Sequence, residues 1–554
     1  MSGSVLPQQN RRPAPLAWRP HRHGVDREPG SPGPTMLLLL LALSGPTVLM
    51  AADDLRFLGK GPAAHDNGQL LACTGTSASP AAVLCVRSGA DAGGNGSAAA
   101  PFNSINDAIA AAKAGDVLQV AEGSYSENVS IGSFELPSAK HLSLLGGFSV
   151  DFSQRDAAIF HSLIDGGGLM PTVQLHLNSD HQTMLDGFRI TNGLGLGSDW
   201  QDGFGHGGGV YVQLFGDGEV LISHNRIFAN QSANATSADT RGGGLHSHTQ
   251  NWGEAKGRVR VEDNIVSDNQ AGKGAGINVS GRQATLLRNR VENNISHDDH
   301  GGGIYISTGE TMVIDNVVRG NQVGATVGYG WGGGLIVAAA GAQLQGNVIT
   351  DNSAPSAGSG VYWDEGAVGS MRNDLIFKNA CPQSDRSAAA IYIDGGPGGP
   401  SLVTLENLTV ADHDCPDSAP TGAAIVIEDE SAVIIRNSIL WGNTADLAVL
   451  AGGSFEISYS ITSEAGIGNF SADPLFAEPA AHDYHLRSAA GRYANSIWVL
   501  DPITSPAVDA GDPAAEFGSE TQPNGGRINL GSYGNTPEAS RSPPQDSIFA
   551  DRFQ

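Results

Sequence analysis

The feature that most constrains this chain is an internal repeat, in which each unit opens with a small residue followed by an apolar one. Successive openings lie 26 to 35 residues apart. They are Gly209-Val210, Gly244-Leu245, Gly276-Ile277, Gly303-Ile304, Gly334-Leu335, Gly360-Val361, Ala390-Ile391 and Ala424-Ile425. Repeats of this length are typical of solenoids, in which stacked units share one continuous core.

A second marker, a pair of asparagines, keeps step with the first along the chain. The pairs are Asn225/Asn230, Asn264/Asn269, Asn289/Asn294, Asn316/Asn321 and Asn347/Asn352, then the wider Asn373/Asn379 and Asn437/Asn443. Asparagine suits the left-handed backbone of a tight turn, and its amide can bond to an equal amide one turn away. We therefore predict coils of three short parallel strands, with the asparagines in file along an elongated body.

The coils are predicted to span residues 117–470, preceded by an N-terminal segment, residues 53–116, that ends in a capping helix. In that helix Ser104 is a suitable N-cap, Asp107 lies near the positive end of the helix dipole, and Gly115 marks the C-terminus. A helix over the first coil would cover strand edges that otherwise invite aggregation.

The two ends of the chain differ from its middle. Residues 1–35 are Pro-rich and basic and are predicted to form a disordered arm. Residues 36–52 hold an apolar run of about 15 residues, fewer than the roughly 20 that span a bilayer, and are predicted to be a signal peptide. A retained buried helix or membrane anchor is the alternative. Residues 471–540 are predicted to be a C-terminal cap, and 541–554 a linker and tail.

The charge balance narrows the range of partners. The chain carries 57 acidic and 31 basic side chains, a formal net charge of −26. Phosphate backbones are repelled by such a charge, so nucleic acid is not an expected partner. An acidic polysaccharide would be repelled as well, unless a local basic patch or bound cations intervene.

The four cysteines fall into two pairs, Cys73/Cys85 and Cys381/Cys415. An even number in an exported protein predicts disulfides. Cys381 and Cys415 each follow the third strand of successive repeats, so stacking would place them about one strand spacing, roughly 4.8 Å, apart. We predict both bridges, with free thiols as the alternative.

Several further motifs carry a family resemblance. They are Pro101-Phe102-Asn103-Ser104-Ile105, Gly123-Ser124-Tyr125, Leu145-Gly146-Gly147-Phe148 and Ile164-Asp165-Gly166-Gly167, and near the C-terminus Asp473-Pro474-Leu475-Phe476, Asp483-Tyr484-His485-Leu486 and Asp509-Ala510-Gly511-Asp512. Residues 83–480 resemble the right-handed parallel β-helix of the pectin-lyase-like superfamily, and residues 471–540 resemble the choice-of-anchor Q domain of exported bacterial proteins. The resemblance implies an all-β, right-handed parallel β-helix, but it says little of activity because that superfamily hosts many activities.

The outward side chains of the first strands should form a column along the body, because side chains alternate along a strand. We call this set the outward column. Its first position in each coil is Tyr211, His246, Asn278, Tyr305, Ile336, Tyr362, Tyr392 and Val426. Aromatic side chains in such a column could stack sugar rings, and the candidate substrate-binding residues are Tyr211, His246, Tyr305, Tyr362 and Tyr392. Alternatively, the aromatics only cover the sheet and stack on one another.

The candidate catalytic residues are the carboxylates Asp364, Glu365 and Asp394. Asp364 and Asp394 occupy matching positions of adjacent coils, so their carboxyl groups are expected within roughly 5–6 Å. A pair at that separation suits acid–base or retaining glycosidase chemistry, or could bind Ca²⁺. Since the outward column contains no Arg or Lys, a pectate-lyase-like mechanism has little support.

Asp298 and Asp299 form a second candidate metal site, within His297-Asp298-Asp299-His300. Mixed oxygen and imidazole ligands suit a metal ion, although two adjacent residues of an extended strand cannot point the same way. A solvated polar loop is the alternative. No cofactor other than Ca²⁺ is indicated.

Two functional hypotheses follow from these features. In the first, an exported, monomeric β-helix at the cell surface or outside the cell contacts a polysaccharide or another surface component through its first-strand face. In the second, the protein is a polysaccharide hydrolase or lyase that uses Asp364 and Asp394. The mature chain is expected to hold no transmembrane span under either hypothesis.

Overall fold

Parallel β-strands make up nearly all the regular structure that the computed structural model describes. The described residues are 70–76, 82–195, 206–232, 240–249, 256–307, 309–324, 330–380, 389–413 and 423–543. Each strand of the three large sheets pairs with its counterpart in the coil before and after it. This arrangement confirms the predicted right-handed parallel β-helix. The predicted arm (1–35), the signal peptide (36–52) and most of the tail (541–554) lie outside the described residues.

The first-strand sheet contains eleven described strands, most of which follow the small-residue steps. They are Val129–Ile131, Val173–Leu177, Val210–Leu214, Leu245–Thr249, Ile277–Ser280, Ile304–Ser307, Leu335–Ala338, Val361–Asp364, Ile391–Ile393, Ile425–Ile427 and Leu447–Val449. The step glycines are required for packing, since a Cβ on Gly276 would lie 2.6 Å from the carbonyl oxygen of Gly303 in the next coil.

The second-strand sheet contains thirteen described strands and is the longest. They are Val83–Val86, Val117–Ala121, Ser143–Phe148, Thr183–Asp186, Glu219–Ser223, Arg258–Glu262, Gln283–Leu287, Glu310–Ile314, Gly341–Gln345, Val368–Arg372, Leu402–Glu406, Ala432–Arg436 and Ser454–Ser458. Its outer side is largely exposed, as shown by Gln343 and Gln345.

The third-strand sheet contains eleven described strands. They are Gly123–Tyr125, Ser162–Asp165, Phe188–Thr191, Arg226–Phe228, Ile265–Ser267, Arg290–Glu292, Val317–Arg319, Val348–Thr350, Leu375–Phe377, Thr409–Ala411 and Ile439–Trp441. Five coils add a short fourth strand that was not predicted. These strands are Leu194–Gly195, Gln231–Ser232, Gln270–Lys273, Ile295–His300 and Gln322–Val323.

One apolar core runs through the interior of the coils. Equal inward positions stack on each other, as do Ile277, Ile304, Leu335, Val361 and Ile391, all fully buried. Each such aliphatic side chain contributes roughly 1.5–3 kcal/mol by its removal from water. Because every coil repeats the pattern, adjacent coils hold each other in one register.

Two files of buried side chains run along the turns. The first comprises Asn225, Asn264, Asn289, Asn316, Asn347 and Asp374, and the second Asn230, Asn269, Asn294, Asn321, Asn352 and Asn379. Each amide donates to the side-chain oxygen of the next coil over 2.8–3.1 Å. The predicted single file is confirmed for both sets.

The left-handed residue of each turn is not the asparagine of the file but the residue before it. His224 has a φ of 53° and Asp263 a φ of 57°, while Asn225 and Asn264 point inward. This explains why the predicted position Asn373 leaves the file: it takes the left-handed place, with a φ of 57°, and Asp374 supplies the oxygen to Asn347.

A helix, Ile105–Ala111, covers the first coil as predicted. The Ser104 hydroxyl accepts a hydrogen bond from the Asp107 amide, which confirms Ser104 as the N-cap, whereas the C-cap is Ala112 rather than Gly115. Glu127 adds a carboxylate at the helix N-terminus, where it accepts from the Ile105 amide at 2.8 Å. A negative charge at that end is favourable because it opposes the helix dipole.

Cys73 and Cys85 form a disulfide, with their Cα atoms 5.7 Å apart, as predicted. The bridge ties residues 70–76 to the first strand of the second-strand sheet. Cys381 and Cys415 lie outside the described residues, and their bridge stays a prediction.

The C-terminal segment, predicted as a cap, packs along the outer side of the third-strand sheet. It contains the antiparallel pairs Phe476–Glu478 with Asp483–Leu486 and Arg492–Ala494 with Ile497–Val499, and a 3-10 turn, Pro479–Ala481. Its apolar side chains cover those of five coils. The cluster includes Phe476, Tyr484, Leu486, Leu530 and Tyr533 from the segment and Val317, Val348, Leu375, Phe377 and Ile439 from the sheet.

Asparagines in left-handed turns attach this segment to the coils. The Asn373 amide donates to the carbonyl oxygens of Ser532, at 3.0 Å, and Gly534, at 2.7 Å. The side-chain oxygen of Asn437 accepts from the Asp512 amide at 2.7 Å. Asn373 and Asn437, which are not members of the buried files, therefore hold the C-terminal segment against the coils. Among the described residues, no helix is long and apolar enough to cross a bilayer.

We expect Asn294→Ala to lower the free energy of unfolding by about 1–3 kcal/mol, because it leaves buried donors and acceptors of two neighbouring coils unpaired. Asn294 is fully buried and bonds to Asn269, Asn321 and the Val266 carbonyl. Urea unfolding followed by circular dichroism measures the change. Gln345→Ala, which removes an exposed amide, is the control, and equal effects of the two changes would contradict the structural role of the file.

Candidate functional site

The outward column forms as predicted on the first-strand sheet. Its members are register partners in consecutive coils from Tyr211 to Val426. Most of its side chains are nevertheless buried: Tyr362 and Tyr392 are each 4% exposed and His246 is 2% exposed. Tyr305 remains half-buried.

Small residues from the turns before each first strand cover the column. Ala357, Ala389 and Ala423 pack with Tyr362, Tyr392, Ile336 and Val426 in one apolar cluster, and Trp331 lies against it. The tyrosine rings therefore expose little flat surface on which a sugar could stack, and they support the residues beside them.

Both buried tyrosines of the C-terminal half reach a carboxylate of the next coil. The Tyr362 hydroxyl donates to Oδ2 of Asp394 at 2.7 Å, and the Tyr392 hydroxyl donates to Oε2 of Glu428. The two rings stack with centroids 5.4 Å apart and 20° between their planes. Stacking restrains the two tyrosine rings, and their hydroxyl groups in turn orient the carboxylates of Asp394 and Glu428.

Asp364, Asp394 and Glu428 follow one another at equal positions of three adjacent coils, and we call them the acidic row. The Asp394 amide donates to the Trp363 carbonyl at 2.8 Å, and the Glu428 amide donates to the Ile393 carbonyl at 2.9 Å. All three side chains are half-buried, so each remains accessible in part. The register thus places Asp364 and Asp394 at equal positions of adjacent coils, and it adds Glu428; the separation of the first two carboxyl groups stays a prediction.

Local backbone groups orient the row further. The Glu365 amide donates to Oδ1 of Asp364 at 2.7 Å, and the Gly395 amide donates to Oδ1 of Asp394 at 2.8 Å. Glu365 itself ends the strand in a left-handed conformation, with a φ of 55°. Its carboxylate adds negative charge beside Asp364 without being a member of the row.

Asp364 and Asp394 hold protons more tightly than isolated aspartates do. Burial, and next the charges of Asp394 and Glu365, raise the pKa of Asp364 to about 8. Burial also raises the pKa of Asp394, while the bond from Tyr362 lowers it. Asp364 is therefore protonated at neutral pH and can donate a proton, and Asp394 is held by a hydroxyl donor.

A second cluster occupies the N-terminal half of the same face. The His206 ring lies beside those of Tyr211 and His246, with ring centroids 5.0 and 5.1 Å away and nearly parallel planes. His246 also contacts Oδ1 of Asn278 through Nδ1 at 3.0 Å. Burial holds the pKa of His246 well below its usual value, so its ring is neutral. His206, in a turn, had no predicted role.

The second candidate metal site lies on a fourth strand. Asp298 and Asp299 belong to Ile295–His300, but their side chains lie outside the described residues. His300 is buried with its ring 5.1 Å from that of Trp331, so it is not in a solvated loop. In the described part of the chain, no group of three or more His, Cys, Asp or Glu is placed to hold a metal. The Ca²⁺ alternative stays a prediction.

Comparison with family descriptions agrees with the fold. Residues 275–460 match the family described as right handed beta helix region. Residues 87–309 match a family of unknown function, and residues 424–511 match one described as disaggregatase related. No curated protein matches the sequence significantly. The resemblance of the C-terminal segment to the choice-of-anchor Q domain stays a prediction.

Several solved structures are similar to the chain at low identity. Pectate lyase Pel9A is 13% identical, with 84% of this chain and 98% of that chain covered and a TM-score of 0.43. The catalytic unit of the GH87 alpha-1,3-glucanase from Streptomyces thermodiastaticus strain HF3-3 is 18% identical, covering 73% and 71% with a TM-score of 0.41. The GH136 lacto-N-biosidase from Eubacterium ramulus is 13% identical, covering 70% and 67% with a TM-score of 0.32. Likeness at this level does not extend to activity.

The raised pKa of Asp364 predicts how stability depends on pH. An unfolded aspartate titrates near pH 4, so between roughly pH 4 and pH 8 the folded state holds a proton that the unfolded state releases. Stability must therefore fall as the pH rises through this window. In Asp364→Asn, which is neutral throughout, we expect a smaller fall in melting temperature between the two ends of that window.

Calorimetric melting curves across the window measure the difference. Asp268→Asn changes an exposed aspartate and is the control. If wild type and Asp364→Asn lose stability with identical slopes, the carboxyl of Asp364 does not carry the proton.

Proposed function

We propose that the protein is an exported β-helix that binds a neutral polysaccharide at the acidic row of its first-strand face. This proposal rests on the finding that Asp364, Asp394 and Glu428 lie at equal positions of three adjacent coils. Tyrosine hydroxyls donate hydrogen bonds to Asp394 and Glu428. Carboxylate oxygens fixed in this way are ready acceptors for sugar hydroxyl groups.

The charge of the protein selects the class of glycan at this site. A uronate would meet an acidic row on a chain whose net charge is −26, and like charges repel. A neutral sugar meets no such cost, because its hydroxyl groups donate to the row. The regular spacing of the coils, roughly 4.8 Å, is about the length of one sugar residue, so a glycan could lie along the body and contact successive carboxylates.

Glycoside hydrolysis is the second candidate function, and the unequal environments of Asp364 and Asp394 favour it. A protonated Asp364 could donate a proton to the leaving oxygen, while Asp394 could act as base or nucleophile. Glycosidases need two carboxyl groups with such divided roles. Binding requires only the row, whereas hydrolysis also requires a glycosidic bond to be placed between these two groups.

We also propose that the protein is exported, because residues 36–52 are predicted to be a signal peptide. The Cys73–Cys85 disulfide supports it, because disulfides persist mainly in oxidising compartments. A secreted or surface location would bring the protein to extracellular polysaccharides. We further propose that the mature chain acts as a monomer.

Titration of the secreted protein with a panel of neutral polysaccharides, by calorimetry and with and without Ca²⁺, tests binding. We expect Asp394→Ala to weaken the affinity about tenfold or more, since it removes charge-assisted hydrogen bonds. Asp268→Ala, which removes an exposed carboxylate elsewhere, is the matched control and should bind as wild type does. If no neutral glycan binds, the protein has a structural or adhesive role instead.

Reducing-end release from the same panel tests hydrolysis. If the second candidate is right, Asp364→Asn should lower the rate about 10²–10⁴-fold, the range expected for loss of a general acid. A uronate polysaccharide added to the panel tests the lyase alternative, because unsaturated uronate products would show a lyase and contradict the assigned roles. Binding without new reducing ends would leave the binding function alone.

A further inference from the structure

Two arginines lie side by side on the outer side of the third-strand sheet, far along the chain from the acidic row. Arg189 and Arg226 are register partners in the adjacent strands Phe188–Thr191 and Arg226–Phe228. We call them the arginine pair. Arg226 is exposed and Arg189 half-buried. Neighbouring parallel strands are roughly 4.8 Å apart, so both guanidinium groups rise from neighbouring points of one surface.

Neither guanidinium of the pair is neutralised by an acid in the described part of the chain. No carboxylate oxygen there lies within 4.0 Å of either group. Arg189 contacts Nε2 of His161 at 2.7 Å, and Arg226 lies over the ring of Phe228 with 5.1 Å to its centroid. Asp165, on the strand beside Arg189, accepts instead from the amides of Gly167 and Asn192.

Arginines on neighbouring coils do have acidic partners. They are Arg155 with Asp186, Arg258 with Glu219, Arg260 with Glu262, Arg288 with Asp263 and Arg290 with Glu292. Arg189 and Arg226 therefore differ from these arginines, because they are adjacent cations without an acidic partner in the described part of the chain. Like charges at directly opposite positions of neighbouring strands destabilise a sheet. Burial lowers the pKa of Arg189, and the charge of Arg226 lowers it further.

We propose that the arginine pair binds an oxyanion of an acidic glycan, a uronate carboxylate or a sulfate. Two neighbouring guanidinium groups can each donate to one oxyanion, and their planar forks match a carboxylate well. Binding would also remove the repulsion between them. Ile265, a half-buried neighbour of Arg226 on this surface, supplies apolar contact for a sugar ring.

An acidic glycan fits this surface better than a nucleic acid or an anionic membrane. The pair supplies only two positive charges on a chain of net charge −26. Densely charged phosphate backbones or headgroups would also contact the surrounding acidic side chains and be repelled by them. A uronate or sulfated sugar carries its charge at one point, next to neutral hydroxyl groups. The site lies on another sheet from the acidic row, so it goes beyond the proposed function and does not depend on it.

The test measures binding of digalacturonate and of a monosulfated disaccharide to the full chain, at about 50 mM and about 200 mM salt. The two probes distinguish carboxylate from sulfate recognition. We expect R189Q/R226Q to weaken binding of the preferred probe about tenfold or more and to flatten its salt dependence. R258Q/R290Q removes the same charge from arginines that have acidic partners, and it should bind like wild type.

Several outcomes would overturn the proposal. Equal losses in the two double variants would show a general charge effect, and failure of both probes to bind would exclude the site. Tighter binding of duplex DNA or phosphatidylserine vesicles than of either glycan would assign the pair to another partner. The melting temperature of R226Q without ligand should be unchanged or higher, because repulsion is relieved, and a lower value would show a structural role. Asp394→Ala should retain acidic-glycan binding, which separates this site from the acidic row.

Discussion

Hydrogen bonding between equal positions of successive coils is the constraint on which the rest of this structure depends. The buried amide files express it most directly, because each asparagine both donates to and accepts from its counterparts. An amide that lost its partner would be a buried unsatisfied group, so a slip of one residue would be costly at every turn. Register is thereby fixed in the coils that the files join, and the surface features of those coils have the spacing of the strands.

That fixed spacing has opposite consequences for the two charged features. In the acidic row it forces carboxylates together, and the crowding is relieved by proton uptake on Asp364 and by the hydroxyl of Tyr362 on Asp394. Arginine cannot lose its proton at ordinary pH, so Arg189 and Arg226 remain charged beside each other. A solenoid thus forms charged sites by repeating a residue type in consecutive coils. Carboxyl groups can reduce the repulsion by taking up a proton, whereas arginines need a bound anion.

Much of the fold could be predicted because repetition leaves two periodic markers in the sequence. The stacked coils, the files, the helix N-cap at Ser104 and the Cys73–Cys85 bridge are confirmed. Departures arose where one residue has two possible roles: Asn373 is a left-handed docking residue and Asp374 joins the file. The column of the candidate site was predicted correctly, but its burial was not predicted. Ala357, Ala389 and Ala423 cover it from turns whose conformation the repeat pattern does not indicate. The sequence pattern does not indicate the arginine pair, because the pair lies on the third-strand sheet and the column on the first-strand sheet.

Distances between spin labels on one column of the second-strand sheet test the central claim most directly. Arg258, Gln283, Glu310, Val368 and Leu402 occupy equal positions of this sheet, and all five are exposed. With one label kept at Arg258 and the other moved along the column, in-register stacking predicts that the separation grows by about 4.8 Å for each coil passed. Separations that do not increase in equal steps with coil number would contradict the stacking, and with it the acidic row and the arginine pair.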